Sequence, residues 1–446
     1  MNQLASMTHS TTRTTLSTLL IAGLLVLASG CDGLFDVKNP GTIQDVDLNN
    51  PDALDAVVTG MSADLSAELD DVGFVGARLS DEMAASGSYF ISGRARFGFI
   101  DPEDVDGYWE GLQRARFSAE DGLRRMREVL GESYDGKEEL AARGHLLAGL
   151  SNRVLGENFV QVAFSGGGLQ PRSAAFERAD SLLQLAVQWA GQAGSSEIET
   201  AAIGARAQVQ ANLGNWDQAG DLAAQVPTDF VYNAFYSNNS GREQNEIFDE
   251  THQRYEMSAF GTIAATDPQD PRAPYTDCRN ANPECSAEIG ADGQTFHLRQ
   301  EKYPDLGADI PLVKGTEMRL IEAEAELAGG SPDVSAAMAS INEVRSFYEL
   351  SDLSATEAGS AGPDGFQPGT AWYHLDRERF LTLWLEARRL NDLYRWDHPF
   401  KYGPGEVDVV YEQQPSVRAV ILPVAESECN NNENISDSEC APTYTE

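Results

Sequence analysis

Residues 199–227 read ETAAIGARAQVQANLGNWDQAGDLAAQVP, and this stretch limits the fold more than any other. Ala202, Ala205, Val209 and Leu213 recur at helical spacing on one face, Gly214-Asn215 makes a turn, and Trp216, Ala219, Leu222, Ala223 and Val226 line a second helix that Pro227 stops. Small residues on facing helices let two backbones approach closely. One such hairpin cannot bury its own apolar face, so the chain must stack several. A similar pair recurs from Thr316 to Leu327 and from Val334 to Phe347, and helical patterns over Lys137–Leu155 and Ser173–Ala190 supply more. A mainly α fold is expected.

The hairpin resembles a tetratricopeptide (TPR) unit in its small residues, glycine turn, aromatic and terminal proline. TPR-like pairs are expected at about 137–227 and 315–349. Upstream, a helix is expected from Pro51 through Leu54, Val57, Val58, Met61 and Leu65, and another from near Asp104 to Val129. About 231–311 and 355–371 the composition shifts to Asn, Asp, Pro, Tyr and Gly, which marks long irregular insertions on a helical scaffold. Binding groups concentrate on such loops.

The first thirty residues hold one charged residue, Arg13, and an apolar run from Leu16 to Leu27. That run is too short to cross a bilayer core of about 30 Å, and it reads as an export signal. Leu27-Ala28-Ser29-Gly30-Cys31 resembles the lipobox of bacterial lipoproteins, with leucine one step further out than usual. In that class the cut falls before the cysteine, which then carries lipid. Residues 1–30 are thus expected to be a removed signal and Cys31 a lipid attachment point. A simple secreted protein and a membrane-tethered helix are the alternatives. Cys278, Cys285, Cys429 and Cys440 remain, in two locally close pairs. In an exported chain these read as two disulfides. Zinc ligation would need C-x-x-C spacing or attendant histidines, which neither pair has, and no metal is expected.

Seventy acidic residues against 32 basic ones give a net charge of −38. A surface of that sign repels nucleic-acid phosphates, so nucleic acid is excluded as a partner. Catalytic motifs are missing: there is no G-x-S-x-G and no H-E-x-x-H, and the histidines are scattered. The glycine run at Phe164–Gly168 lacks the Lys-Ser/Thr of a phosphate loop. DPEDVDG at Asp101–Gly107 misses calcium-loop spacing and reads as an acidic turn before a helix. No catalytic residue and no cofactor are expected.

Near the C-terminus, LDRERFLTLWLEARRLNDLYRWDHP places Phe380, Leu383, Trp384, Ala387, Leu390 and Tyr394 at spacings of three and four. By periodicity this is one core helix with a solvated face carrying the pairs Glu386/Arg389 and Arg388/Asp392, each contributing about 0.2–0.5 kcal/mol.

The same segment resembles the signature E-x-x-x-E-x-x-R-x-x-D-L-x-R-W of the SusD/RagB family. Glu386, Arg389, Asp392, Leu393, Arg395 and Trp396 stand in matching places, while Ala387 stands where the family usually has glycine. KYPDLGADIPLVKGTEMRLIEAEAEL, INEVR at Ile341–Arg345, ILPVAESECNNN from Ile421 and the N-terminal CDGLFDVKNP agree with the family in order. The resemblance spans nearly all of residues 31–446, read as a single domain. It implies a SusD-like α-helical fold of TPR-like pairs with long inserted loops. It also implies an outer-membrane lipoprotein, not an enzyme, that faces the cell exterior. Such a protein binds oligosaccharide or peptide and passes it to a partner TonB-dependent (SusC-like) transporter, over which it sits as a lid. A TPR scaffold for a protein partner is the alternative.

The resemblance transfers no ligand contacts. Sugar rings are held by aromatic faces and hydrogen bonds, because their C–H faces are apolar and their hydroxyls are not. The loop candidates are Tyr89, Phe90, Arg94 and Phe97 in SGSYFISGRARFGFI, then Tyr236 and Tyr275, then Trp372 and Tyr373. Trp109 and Trp216 sit at helix-core spacing and are left out.

Overall fold

A computed structural model describes residues 45–265, 268–402, 418–419, 421–436 and 439–440. The signal segment and Cys31 lie outside the described residues. Residues 45–48 form a short 3₁₀ turn.

Helix α1 (Leu54–Leu79) presents Leu54, Val58, Met61, Leu65, Leu69 and Val72 to the core, extending the stripe expected from Pro51. After a two-residue strand β1 (Ala84–Ala85) come α2 (Phe90–Arg96), α3 (Asp106–Leu130) and α4 (Glu138–Asn158). A small hairpin, β2 (Gln161–Val162) with β3 (Gln170–Pro171), leads to α5 (Ser173–Ala193), α6 (Ser196–Leu213) and α7 (Trp216–Ala223). Both expected TPR-like regions are helical, and consecutive members pack on one another. The reason is local. A Cβ added at Gly149 of α4 would stand 2.6 Å from Leu183 of α5, so only glycine permits that approach. Gly214 takes the left-handed conformation, φ 74°, that ends α6 and turns the chain into α7.

The expected insertion at 231–311 carries short antiparallel pairs. β4 (Val231–Ala234) pairs with β8 (Ile310–Lys314), β1 with β5 (Met257–Ser258), and β6 (Tyr275–Asp277) with β7 (Leu298–Gln300). A short helix α8 (Glu246–Phe248) continues as a π-type turn over Asp249–Gln253. The second helix pair follows as α9 (Gly315–Ala328) and α10 (Val334–Phe347), with α9 against α7 and α6, so the pairs form a continuous stack. Then come α11 (Ala371–Thr382), α12 (Arg389–Arg395) and α13 (Glu426–Asn431). A smaller apolar cluster around Phe366, Trp372 and Trp396 joins α9, α10 and α11. Both disulfides form as expected, Cys278–Cys285 and Cys429–Cys440, with Cα separations of 5.4 and 6.2 Å. No helix among the described residues is long and apolar enough to cross a membrane.

The single C-terminal helix expected from periodicity is broken. α11 ends at Thr382 and α12 begins at Arg389. Between them Leu385 and Ala387 take left-handed φ values of 60° and 58°. The expected exposed pairs do not form either. Glu386, Arg388, Arg389 and Asp392 are all buried and pair with other parts of the chain. Glu386 accepts from Lys302 and Lys314, both at 2.6 Å. Arg389 holds Asp81 bidentately at 2.6 and 2.7 Å and Asp376 at 2.5 Å. Asp392 takes Arg379 and Arg395, and Arg395 and the Trp396 indole both donate to Glu324. A buried charge is tolerated when it is paired and hydrogen bonded, and a straight helix could not aim these groups in so many directions.

The left-handed Ala387 yields a prediction. A non-glycine residue there costs about 1–2 kcal/mol, and the extra unfolded-state freedom of glycine takes back part of that gain. Ala387→Gly is expected to raise stability by about 0.5–1 kcal/mol in urea denaturation.

Candidate functional site

Tyr89, Phe90, Arg94 and Phe97 come together on α2 and its flanks. Strand β1 runs antiparallel to β5, pairing Ala84 with Ser258 and Ala85 with Met257. The next residues are tied to Glu256. Its carbonyl accepts from the Ser86 N–H, and its carboxylate accepts from the Ser88 N–H and the Ser92 hydroxyl. A Cβ at Gly87 would lie 1.6 Å from that carboxylate, so glycine is what admits it. α2 buries Ser92 and Ala95, and the opposite side is left open. Tyr89 is 61% exposed, Phe90 79% and Phe97 43%.

Arg94 holds the patch in place rather than standing free. It pairs with Asp101, with Asp104 at 3.0 Å and with Glu103 at 3.7 Å, and its guanidinium lies 5.7 Å from the Phe90 ring centre. Its partners belong to the acidic turn read at 101–107. That turn is a 3₁₀ segment (Pro102–Val105) with a capping box between Asp101 and Asp104.

The other expected contacts lie elsewhere. Tyr236 is buried, and its hydroxyl donates to the Ser66 carbonyl at 2.7 Å. Trp372 is buried against Phe366 and Trp396. Tyr275 is half-buried on β6. Tyr373 is half-buried and lines a separate cavity of about 180 Å³ with Phe366, Phe400, Asp81, Asp376 and Arg389. The charged groups on its floor are already paired with one another. A second cleft, of about 600 Å³, runs between Trp109–Gln113 and Ser427–Asn434.

A second exposed aromatic group went unnoticed in the sequence. Ile289 and Phe296 face each other across a tight hairpin, 40% and 45% exposed, and Phe260 meets Phe296 edge to face at 5.2 Å. The signal was Asp292-Gly293, a turn dipeptide with Gly293 at φ 73° between two apolar residues.

Carboxyl groups crowd one flank. Glu246, Asp249 and Glu250 bring their oxygens within 4.8 Å of one another, and Asp71 lies beside Glu246. Burial, then hydrogen bonding and charge from Glu246, push Glu250 up to about 8. Burial, then Glu68 and Glu246, push Asp71 up to about 7. Burial pushes Glu82 up to about 8 against the opposing Leu385 N–H. The folded state therefore holds protons that the unfolded chain releases near 4.5. Stability is fully present below that value and is lost as pH rises to about 8. Glu386 and Asp392 behave oppositely. Burial opposes their ionisation, but Lys302 and Lys314, and Arg379 and Arg395, outweigh it and hold both below the usual range. That contribution is lost on acidification. The melting temperature is expected to peak mildly acidic and fall toward pH 8, and Glu250→Gln to flatten the alkaline decline. Calorimetry across a pH series checks both.

The SusD family model matches residues 299–440, which contain the broken helix and its partners Lys302, Lys314, Glu324 and Asp376, while Asp81 lies outside the match. No curated protein matches. Solved structures match over most of the chain. A SusD-like protein from Bacteroides fragilis has TM-score 0.62 at 13% identity, covering 88% of this chain and 98% of its own. A SusD/RagB family protein from Bacteroides thetaiotaomicron has TM-score 0.60 at 14% identity, covering 85% and 94%. A laminarin-binding SusD-like protein has TM-score 0.57 at 16% identity, covering 86% and 98%. The signature turn with its buried ion pairs, the matching model over that region and the shared helical architecture agree: residues 299–440 match the SusD family, and the chain has the fold of SusD-like proteins.

Proposed function

We propose that the protein captures oligosaccharide at the cell surface and delivers it to a partner TonB-dependent (SusC-like) transporter, acting as that transporter's lid. It is a binding protein with no chemical step. The observation that carries the reading is the exposed Tyr89–Phe90–Phe97 group on a loop-borne helix braced by buried hydrogen bonds. Aromatic faces left in water by a rigid scaffold suit the apolar faces of sugar rings. A laminarin-binding protein of the same fold is in keeping with a glycan ligand. Peptide is the second ligand class. Cys31 would carry the lipid that keeps the protein beside its transporter on the outer membrane, each buried methylene contributing about 0.8 kcal/mol.

The test is a pull-down from membranes with the lipidated chain, co-purifying proteins being identified by mass spectrometry. Recovery of a large TonB-dependent barrel in near-equal amount is expected. Recovery from the outer membrane without a barrel would sink the transporter role and favour a TPR-type scaffold for another protein.

A further inference from the structure

Resting on the glycan reading above, we propose that the two aromatic groups form one extended site for an uncharged oligosaccharide and that the site rejects polyanionic glycans. The two are physically joined. The 289–296 hairpin is pinned to the segment that leads into α2. The Asp292 N–H donates to the Ser86 carbonyl at 2.8 Å, and a Cβ at Gly290 would lie 2.5 Å from the Ser86 Cβ. Arg96 pairs with Asp292 and donates to the Thr295 hydroxyl at 3.3 Å. Phe97 and Phe296 are the residues that directly follow this Arg96–Thr295 contact. The Tyr89–Phe90–Phe97 group and the Phe296–Ile289 group are thus carried on segments bonded directly to each other. Reaching across both takes a chain of several sugar units.

The charge pattern selects the class. Five guanidiniums around the two groups are already matched to carboxylates. Arg94 is held by Asp101 and Asp104, Arg96 by Asp292, and Arg254 by Asp249 and Glu250. Arg279 lies 5.7 Å from the Phe296 ring centre and 5.9 Å from that of Phe260, and Asp277 grips it at 2.5–3.0 Å. Arg299 bonds Glu301 at 2.8 Å. A uronate or sulfate placed here would have to break such a pair and would meet the displaced carboxylate as well. Neutral hydroxyls need only the spare lone pairs and N–H groups of the same pairs.

The test is affinity electrophoresis of the full chain in gels containing an uncharged polysaccharide (laminarin, xyloglucan or galactomannan) or an anionic one (alginate or polygalacturonate). Each is run at low and at high salt, so that long-range repulsion is screened. Retention by at least one uncharged polymer and by no anionic one is expected. Phe296→Ala and Phe90→Ala are each expected to weaken retention about tenfold, with unchanged melting temperatures. Retention by alginate or polygalacturonate overturns the charge selection. Loss with Phe90→Ala but none with Phe296→Ala overturns the joined site. Retention by no polysaccharide overturns the inference together with the glycan reading beneath it.

Discussion

A Glu386→Ala variant is expected to lose about 3–5 kcal/mol of folding stability, more than any surface substitution on the molecule. Two ammonium groups converge on this one carboxylate, which is 1% exposed. Each has one further acceptor: Lys302 donates to the Trp384 carbonyl and Lys314 to the Thr382 carbonyl. Those carbonyls cap the broken end of α11, so the lysines join β7–β8 to the turn. Without the carboxylate, two charges stay buried and unneutralised. Glu386→Gln should lose less, because the amide oxygen still accepts hydrogen bonds while the charge is gone. Replacing all three groups at once, Glu386→Leu with Lys302→Met and Lys314→Met, should recover much of the loss, since an apolar substitute for a whole buried network is often nearly neutral. Urea denaturation separates the three cases. Equal losses in Glu386→Ala and the triple variant would mean that packing, not charge, sets the cost.

The same region shows how far the sequence could be read. Helix pairs were legible because local period and turn chemistry coincide, as at Gly214 between α6 and α7. The disulfides were legible because each pair is close in the chain. The break at 383–388 was not, because periodicity continues through it. Leu383, Trp384 and Leu390 are buried whether the backbone is helical there or not. What bends the chain is distant. Glu82 accepts from the Leu385 N–H at 2.7 Å, its carbonyl accepts from the Trp384 indole, and the Tyr303 hydroxyl donates to the Leu385 carbonyl at 3.1 Å. Only the resemblance hinted at the turn, through the glycine that usually stands at the position of Ala387. Once that turn is in place, Asp81 and Glu82 are fixed, and with them the end of α1 that leads into β1 and α2. The signature segment is linked to the candidate site through this route.

The exposure of the candidate site residues was legible only where neighbouring residues settle it. Phe90 opens a seven-residue helix that Tyr89 and Phe97 flank, with Ser92 and Ala95 on its buried side, so the other side is open. Tyr236 and Trp372 looked equally loop-like in composition, yet one follows a strand that pairs with β8 and the other is in the first turn of α11. Strand pairing and helix packing, which composition does not encode, took both rings inside.

On the proposed reading, a Tyr89→Ala/Phe90→Ala double variant is therefore expected to bind an uncharged glycan about a hundredfold more weakly while melting normally. Covering about 60 Å² of apolar ring surface contributes about 1.5 kcal/mol, so two rings contribute about 3 kcal/mol. Neither ring supports the fold, and exposed positions change stability by about 0.5 kcal/mol or less. Tyr236→Phe is the contrasting control. It strips the hydrogen bond to Ser66 and leaves a buried carbonyl short of a donor, costing about 1 kcal/mol of stability with no effect on affinity. Isothermal titration calorimetry beside thermal melts reads both quantities on each variant. If the double variant binds as well as the parent, the α2 group is not the binding surface, and the cleft between Trp109–Gln113 and Ser427–Asn434 becomes the place to look.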